Sequence, residues 1–320
     1  MTHFDVFNGD ADGICALHQL RLATPLDSVL VSGVKRDIAL LQRVAAQDGD
    51  SVTVLDISAA VNRSALVALL DRGVRVEYFD HHFAGDLPRH AHLSTLIDPS
   101  PRVCTAMLVD RHLGGRHRIW AVVGAFGDNL PHEARVLAGG LNLSDEQLRN
   151  LRSLGETLSY NAYGDVEADL LAHPASLYRR VHGHADPFDF MRRDPIYPQI
   201  SERRREDLRE ARTAKPEITL PGAVIYVLPD GASSRRVRGV FVNELSRSAP
   251  AVAHAVLTRN AQGGYAVSVR APLANATGAD ALCRQFATGG GRVAAAGINH
   301  LPQGEFPAFV RALGRAFPGP

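Results

Sequence analysis

The chain has 320 residues, 45% of them apolar, and its 35 basic and 34 acidic side chains leave a formal net charge of +1. That length favours two domains over one, and the apolar content is enough for full cores. The balanced charge gives no global field to argue for a nucleic-acid partner; three scattered cysteines without a CxxC pair argue against a disulfide framework or zinc knuckle; and no apolar run nears the ~20 residues of a membrane span.

The start, Met1-Thr2-His3-Phe4-Asp5, lacks the basic and apolar stretches of a signal peptide, so a soluble cytoplasmic protein is expected. Only Lys35 and Lys215 among the 35 basic residues are lysines. A GC-rich coding sequence explains that preference simply, although arginine also suits phosphate, which its planar fork can grip with two bonds.

Phe4 to Phe7 reads as a strand, and Gly13 to Ala23 as the helix after it. Ser28 to Ser32, Ser51 to Ile57 and Gly73 to Phe79 read as further buried strands, with apolar residues at helical spacing over Ile38 to Ala46 and Ala59 to Leu70. Strand and helix alternating in this way predict a parallel sheet flanked by helices, with ligands beyond the carboxyl ends of the strands. Asp10, Asp56 and Asp80 fall there, and Asp128 follows another apolar run in Phe126-Gly127-Asp128-Asn129. Trp120 is expected in the core.

From Ser144 the character changes. Ser144-Asp145-Glu146-Gln147 has the form of a capped helix start, and the arginine-rich runs that follow read as solvated faces of a helical connector spanning 144–216. A phosphate-facing role for some of these arginines is the minority alternative. After Pro216, Ala223 to Leu228, Val252 to Thr258 and Gly264 to Arg270 read as strands, and Val240 to Arg247, Ala279 to Ala287 and Phe306 to Phe317 as helices. The expected fold class is therefore α/β, with an N-terminal parallel-sheet domain over 1–143, the connector, and a smaller C-terminal α/β domain over 217–320.

Asp10-Ala11-Asp12-Gly13, Asp56, Asp80-His81-His82 and Asp128 carry the candidate chemistry. Each has an ordinary alternative, since Asp and Gly serve as helix caps and turn residues and His is common in polar loops. Gathered at one sheet edge, however, so many carboxylates would repel one another without cations, and oxygen and imidazole donors suit Mn²⁺ or Mg²⁺. Two such ions about 3.5–4 Å apart can clamp a phosphoryl group and activate water. The sequence has neither a P-loop nor a Gly-x-Ser-x-Gly elbow, which leaves metal-assisted phosphoester hydrolysis as the economical reading.

This ordered set resembles the DHH phosphoesterase superfamily, in its RecJ-like and nanoRNase-like forms. Gly289-Gly290-Gly291-Arg292 with Ala295-Ala296-Gly297 is similar to the glycine motif of the associated DHHA1 domain. The resemblance implies a DHH catalytic domain, a DHHA1 substrate-binding domain and a cleft between them. It implies that Asp10 and Asp12 each favour one metal, that Asp56 bridges the two, and that His81 and Asp128 complete the second site. Asp80 would orient a histidine, and His82 would face the scissile phosphate. Arg270 would bind substrate, and Gly289, Gly290 and Gly291 would admit a phosphate or terminal nucleotide at a helix start, beside Arg292. The chain departs from the pattern twice. Val6 and Asn8 stand where the family often places another ligand, and Asn8 can offer only a neutral carbonyl oxygen, so the first ion would be weaker or more hydrated; Arg292 stands where histidine is more typical of nucleases.

The implied activity is a manganese-dependent phosphodiesterase that cleaves short oligonucleotides or dinucleotides to mononucleotides. Magnesium is the second candidate ion and a homodimer a candidate assembly. Weak overall basicity gives no continuous track for long duplex DNA. Alternatives are a cyclic-dinucleotide phosphodiesterase, a nucleoside bisphosphate phosphatase, or a catalytically weak nucleotide-binding regulator. His90, His92, His112, His117, His132, His182, His184, His254 and His300 are expected as surface or packing residues, and Tyr160, Tyr163 and Phe188 as connector packing.

Overall fold

A computed structural model describes residues 1–319, and the chain divides into two compact units, the first 1–202 and the second from 203 onward. In the first, β1 (His3–Phe7), β2 (Val29–Val31), β3 (Ser51–Leu55), β4 (Arg75–Asp80) and β5 (Leu93–Ile97) form an all-parallel sheet in the order β2-β1-β3-β4-β5. The chain leaves β1 for β2 on one side and returns to β3 on the other. The loops after β1 and β3 therefore part at a topological switch point, where open α/β sheets leave a crevice.

The pleat sends alternate residues of a strand to opposite faces. Phe4 and Val6 of β1, with Val52 and Val54 of β3, pack into a core with Leu66, Leu69 and Leu70 of α2 (Ala59–Asp71). On the other face Asp5 meets Arg21 of α1 (Ala11–Ala23) in a bidentate ion pair, 2.9 Å from Nε and 2.5 Å from Nη2. Every residue of α1 from Ala11 to Arg21 is buried, because further helices lie outside it: α3 (Thr105–His112), α4 (Arg118–Gly127), α6 (Asp145–Ala162) and α7 (Pro174–His182). α5 (Pro131–Ala138) follows α4, and α8 (Pro187–Arg193) packs on α6.

α6 begins with the expected capping box of Ser144 and Gln147 and folds with this first unit. It comes very close to α4 because residue 155 is glycine: a Cβ there would lie 2.3 Å from the Val123 carbonyl oxygen. Trp120 is fully buried, its indole N–H donating to the Ala185 carbonyl at 2.8 Å.

One expected helix is absent. Ile38 to Ala46 contains only a 3₁₀ turn, Leu40–Arg43, whose start has no side-chain cap. The Asn62 amide holds this segment from outside, accepting from the Leu41 N–H and donating to the Ile38 carbonyl.

The long helix α9 (Ile196–Ala211) carries the chain into the second unit. There β6 (Ile218–Thr219), β7 (Ala223–Val227), β8 (Ala253–Arg259), β9 (Gly264–Arg270), β10 (Gly289–Arg292) and β11 (Ala295–Pro302) form a mixed sheet in the order β10-β11-β9-β8-β7-β6. α10 (Ala232–Ser248) packs on β8 and β9, while α11 (Ala279–Cys283) and α12 (Phe306–Ala316) contribute Leu282, Phe309 and Leu313 to a separate core. The fold class is thus α/β with a smaller second α/β unit, as the sequence predicts.

Candidate metal centre

Asp10 follows β1, Asp56 follows β3, and Asp80 ends β4 with His81 and His82 beyond it. Adjacent strands β1, β3 and β4 therefore deliver these side chains to one edge, and α4 adds Asp128 from its C-terminal cap. Two overlapping donor groups result: Asp12, His81 and Asp128, and Asp56, His81 and His82, with the atoms of each group mutually within 4.8 Å.

His81 is the common member, and its chemistry is fixed by the backbone. A carbonyl can only accept, so His81 Nδ1–H must donate to the Val103 carbonyl at 2.9 Å, leaving the Nε2 lone pair inward. Nε2 lies 3.3 Å from Asp56 Oδ1 and 3.9 Å from both Asp12 Oδ2 and Asp128 Oδ2. His82 turns the other way. Its Nδ1 meets Asp80 Oδ1 at 2.7 Å, its side chain is 38% exposed, and Asp80 Oδ2 is buried with no partner among the described residues.

Asp10 and Asp12 are helix caps as well as candidate ligands. Asp10 Oδ1 accepts from the Asp12 and Gly13 amides and caps α1. Asp12 reaches across to the start of α3, where its two oxygens accept from the Thr105 and Ala106 N–H groups at 2.7 Å each. Asp56 sits in the left-handed region at φ 60, uncommon for a residue other than glycine, and its N–H donates to the Phe79 carbonyl at 3.0 Å.

The electrostatics identify where positive charge is wanted. Burial, then Asp12 and Asp10, push the Asp56 carboxyl well above the usual carboxylate range, with Asp128 adding and His82 opposing. Burial also raises Asp128, although Lys35 opposes it. Burial raises Asp10 too, but Lys35 outweighs it and Asp10 ends below its ordinary value. For His82, burial lowers the value, but the Asp80 hydrogen bond and the Asp56 charge carry it upward overall.

Three positioning residues have no local sequence signature. Lys35, on the loop after β2, forms an ion pair with Asp10 and lies 3.8 Å from Asp128 Oδ1; its rarity in an arginine-rich chain is the one clue. Thr105 donates its hydroxyl to Asp56 Oδ1 at 3.2 Å. Ser159 on α6 accepts from the Ala11 N–H and donates to the Gly127 carbonyl, tying together the segments that carry Asp10 and Asp128.

The expected substrate residues lie in the second unit. Arg270 ends β9, its Nε donating to Asn243 Oδ1 at 2.6 Å. Gly289 to Arg292 do not start a helix: they form the sheet-edge strand β10, because Gly289, Gly290, Gly291 and Arg292 pair antiparallel with Ile298, Gly297, Ala296 and Ala295. Glycine is required at 291, where φ is 137 and a Cβ would lie 2.5 Å from Ala296 Cα. Ala295 pairs with both Arg270 and Arg292, so the two arginines share one face of the sheet.

The donor set fits a hard divalent cation: buried carboxylates, of which Asp56 and Asp128 are pushed toward protonation, and an imidazole locked with its lone pair inward. The geometry thus defines a parallel-sheet protein with a cluster of carboxylates and histidines at its switch point that could hold a cation. No protein-family model and no curated protein sequence matches this chain. Solved structures do. Exonuclease RecJ bound to manganese is similar over 98% of this chain and 90% of its own, with a TM-score of 0.64 and 18% identity. RecJ from Thermus thermophilus in complex with Mn²⁺ matches the whole of this chain at a TM-score of 0.64 and 19% identity, but only 53% of its own length, so this chain spans about half of it. An exopolyphosphatase-related protein from Bacteroides fragilis matches 98% of this chain and 91% of its own, at a TM-score of 0.53 and 16% identity. The chain has a RecJ-like fold.

Proposed function

We propose that the protein is a metal-dependent phosphodiesterase that hydrolyses short oligonucleotides or dinucleotides to mononucleotides, with Mn²⁺ the first candidate ion and Mg²⁺ the second. The observation that carries this reading is His81, held by the Val103 carbonyl with its free nitrogen among Asp12, Asp56 and Asp128. Asp12, Asp56, His81 and Asp128 would hold the cation. Such an ion supplies positive charge to polarise a phosphoryl oxygen and to acidify the attacking water.

The chain's own groups do the remaining work. Asp80 fixes His82 through Nδ1, so His82 Nε2 is the atom free to meet substrate. Its raised proton affinity suits it to hold a proton against a phosphoryl or leaving oxygen. Arg270 and Arg292, on one sheet face, would grip a terminal phosphate beside the glycine strand β10.

The test is incubation with Mn²⁺ and a panel of linear dinucleotides, short RNA and DNA, cyclic dinucleotides, nucleoside bisphosphates and polyphosphate, with products identified by mass. Asp56-dependent release of mononucleotides from linear substrates is the expected result; a panel left wholly uncut would sink the proposal. One observation favours a second reading, a nucleotide-binding regulator with weak catalysis: an ammonium already lies against Asp10. Nucleotide binding without any turnover that depends on Asp56 would select it.

A further inference from the structure

We infer that the Lys35 ammonium serves as the built-in second cation of this centre, so the chain takes up one divalent ion where its resemblance implies two. The inference rests on the phosphoesterase reading above.

Counting donor atoms leads there first. Both candidate metal groups depend on His81, and with Nδ1 committed to Val103 a single lone pair remains. One nitrogen lone pair serves one ion, so the two groups are alternatives or parts of one site. Asp10 belongs to neither group. Its Oδ1 caps α1, and its Oδ2 is the partner of Lys35. The ammonium also lies 3.8 Å from Asp128 Oδ1, bridging two carboxylates as a cation would.

Lys35 is placed there by its surroundings. Its N–H donates to the Ala162 carbonyl at 2.9 Å, and its own carbonyl accepts from Asn8 Nδ2 at 3.3 Å. The Tyr163 ring lies 5.6 Å from the ammonium, within cation–π range. Asn8 thereby acquires a purpose that its poor ligand chemistry denied it. Its Oδ1 accepts from the Asp10 N–H at 3.2 Å while its amide nitrogen holds the lysine loop. An aspartate at position 8 could not donate to that carbonyl.

Charge closes the comparison. Relative to a site with a carboxylate at position 8 and a second divalent ion, this one lacks two positive charges. It recovers one from Lys35 and one from the neutral side chain of Asn8, so the total is unchanged. The Lys35 side chain is 37% exposed, which leaves an ammonium hydrogen for a substrate phosphoryl oxygen.

The 320-residue protein, stripped with chelator and dialysed against Mn²⁺, should hold one manganese per chain by elemental analysis and give the six-line signal of an isolated ion in electron paramagnetic resonance. The double variant Asn8→Asp with Lys35→Ala should hold two, with an exchange-coupled spectrum. Two ions in the wild-type chain, or a folded double variant still holding one, would overturn the inference. A second measurement needs no variant of the site. With only two lysines in the chain and Lys215 exposed, ¹³C,¹⁵N-lysine labelling gives two side-chain signals. Under saturating Mg²⁺ the Lys35 signal should stay distinct and hydrogen-bonded; convergence on the Lys215 position would mean that the incoming ion displaces it, and would refute the assignment. A chain that binds no divalent ion would fail differently, by removing the phosphoesterase reading itself.

Discussion

Replacing Asp56 with asparagine should stabilise the metal-free protein and abolish its stabilisation by manganese. The substitution suits the position: Asn is among the few side chains that tolerate the left-handed backbone at φ 60, and its Oδ1 can still accept from Thr105. What it removes is a carboxylate 2% exposed, whose ionisation is opposed by burial and by Asp12 and Asp10. Because the folded-state value of this acid is raised, its cost to stability is absent below the ordinary carboxylate range and grows as pH rises toward the folded value. Each unit of elevation is worth about 1.4 kcal/mol at neutral pH. For a unit of this size, that corresponds to about 3–6 °C in melting temperature. In the wild-type chain a cation bound at a hundred times its dissociation constant would return about 2.7 kcal/mol, which the variant forfeits. Thermal melts should therefore show the variant above wild type in chelator, with only the wild type rising across a Mn²⁺ titration. A variant that melts at or below wild type in chelator, or two proteins stabilised equally by Mn²⁺, would refute both the charge crowding and the ligand role.

Asp12 should behave in the opposite way. Asp12→Ala orphans the buried N–H groups of Thr105 and Ala106, at about 1–3 kcal/mol each, so urea unfolding should find the variant less stable even without metal. His18 should make the first unit acid-sensitive: burial and His182 lower its value from 6.5 to about 3, and its ring is bound to the His184 carbonyl. Stability from this lowered histidine is complete above about 6.5 and lost as pH falls, about 2 kcal/mol between pH 7 and 5; His18→Gln should flatten that slope in urea titrations. The three cysteines should be inert in the native chain, because burial raises Cys15 and Cys104 well above the ordinary thiol value and Cys283 to about 12. A thiol reagent should label none of them until denaturant is added, whereupon all three react.

The parallel sheet and the carboxylates at its edge were legible because strand ends and acidic residues coincide in the sequence at Asp10, Asp56 and Asp80. The helices α3 and α4 were not. Nearly all of α4 is buried, so the apolar and polar alternation that reveals a surface helix is missing from Arg118–Gly127. β5 fails for the converse reason: three of the five residues in Leu93–Ile97 are exposed at the sheet edge, and their pattern is weak. Within the site, cap and ligand proved to be the same residue. Asp10 caps its own helix, which local spacing predicts, whereas Asp12 caps a helix that begins 93 residues later, which no local pattern encodes. The Asp80-His81-His82 triplet is conspicuous in the sequence, but the division of labour between its histidines depends on the Val103 carbonyl and exists only in the fold.

The strand order has a practical corollary. Every candidate ligand leaves the sheet at its carboxyl rim or from the helices above it, while the opposite rim is made of turns such as those at Gly49 and Gly73, both with positive φ. That rim is the place for an affinity handle, a fluorophore or an inserted reporter domain. A label joined between Asp48 and Asp50 would sit a full strand length from the centre, so the metal chemistry could be watched by a probe that takes no part in it.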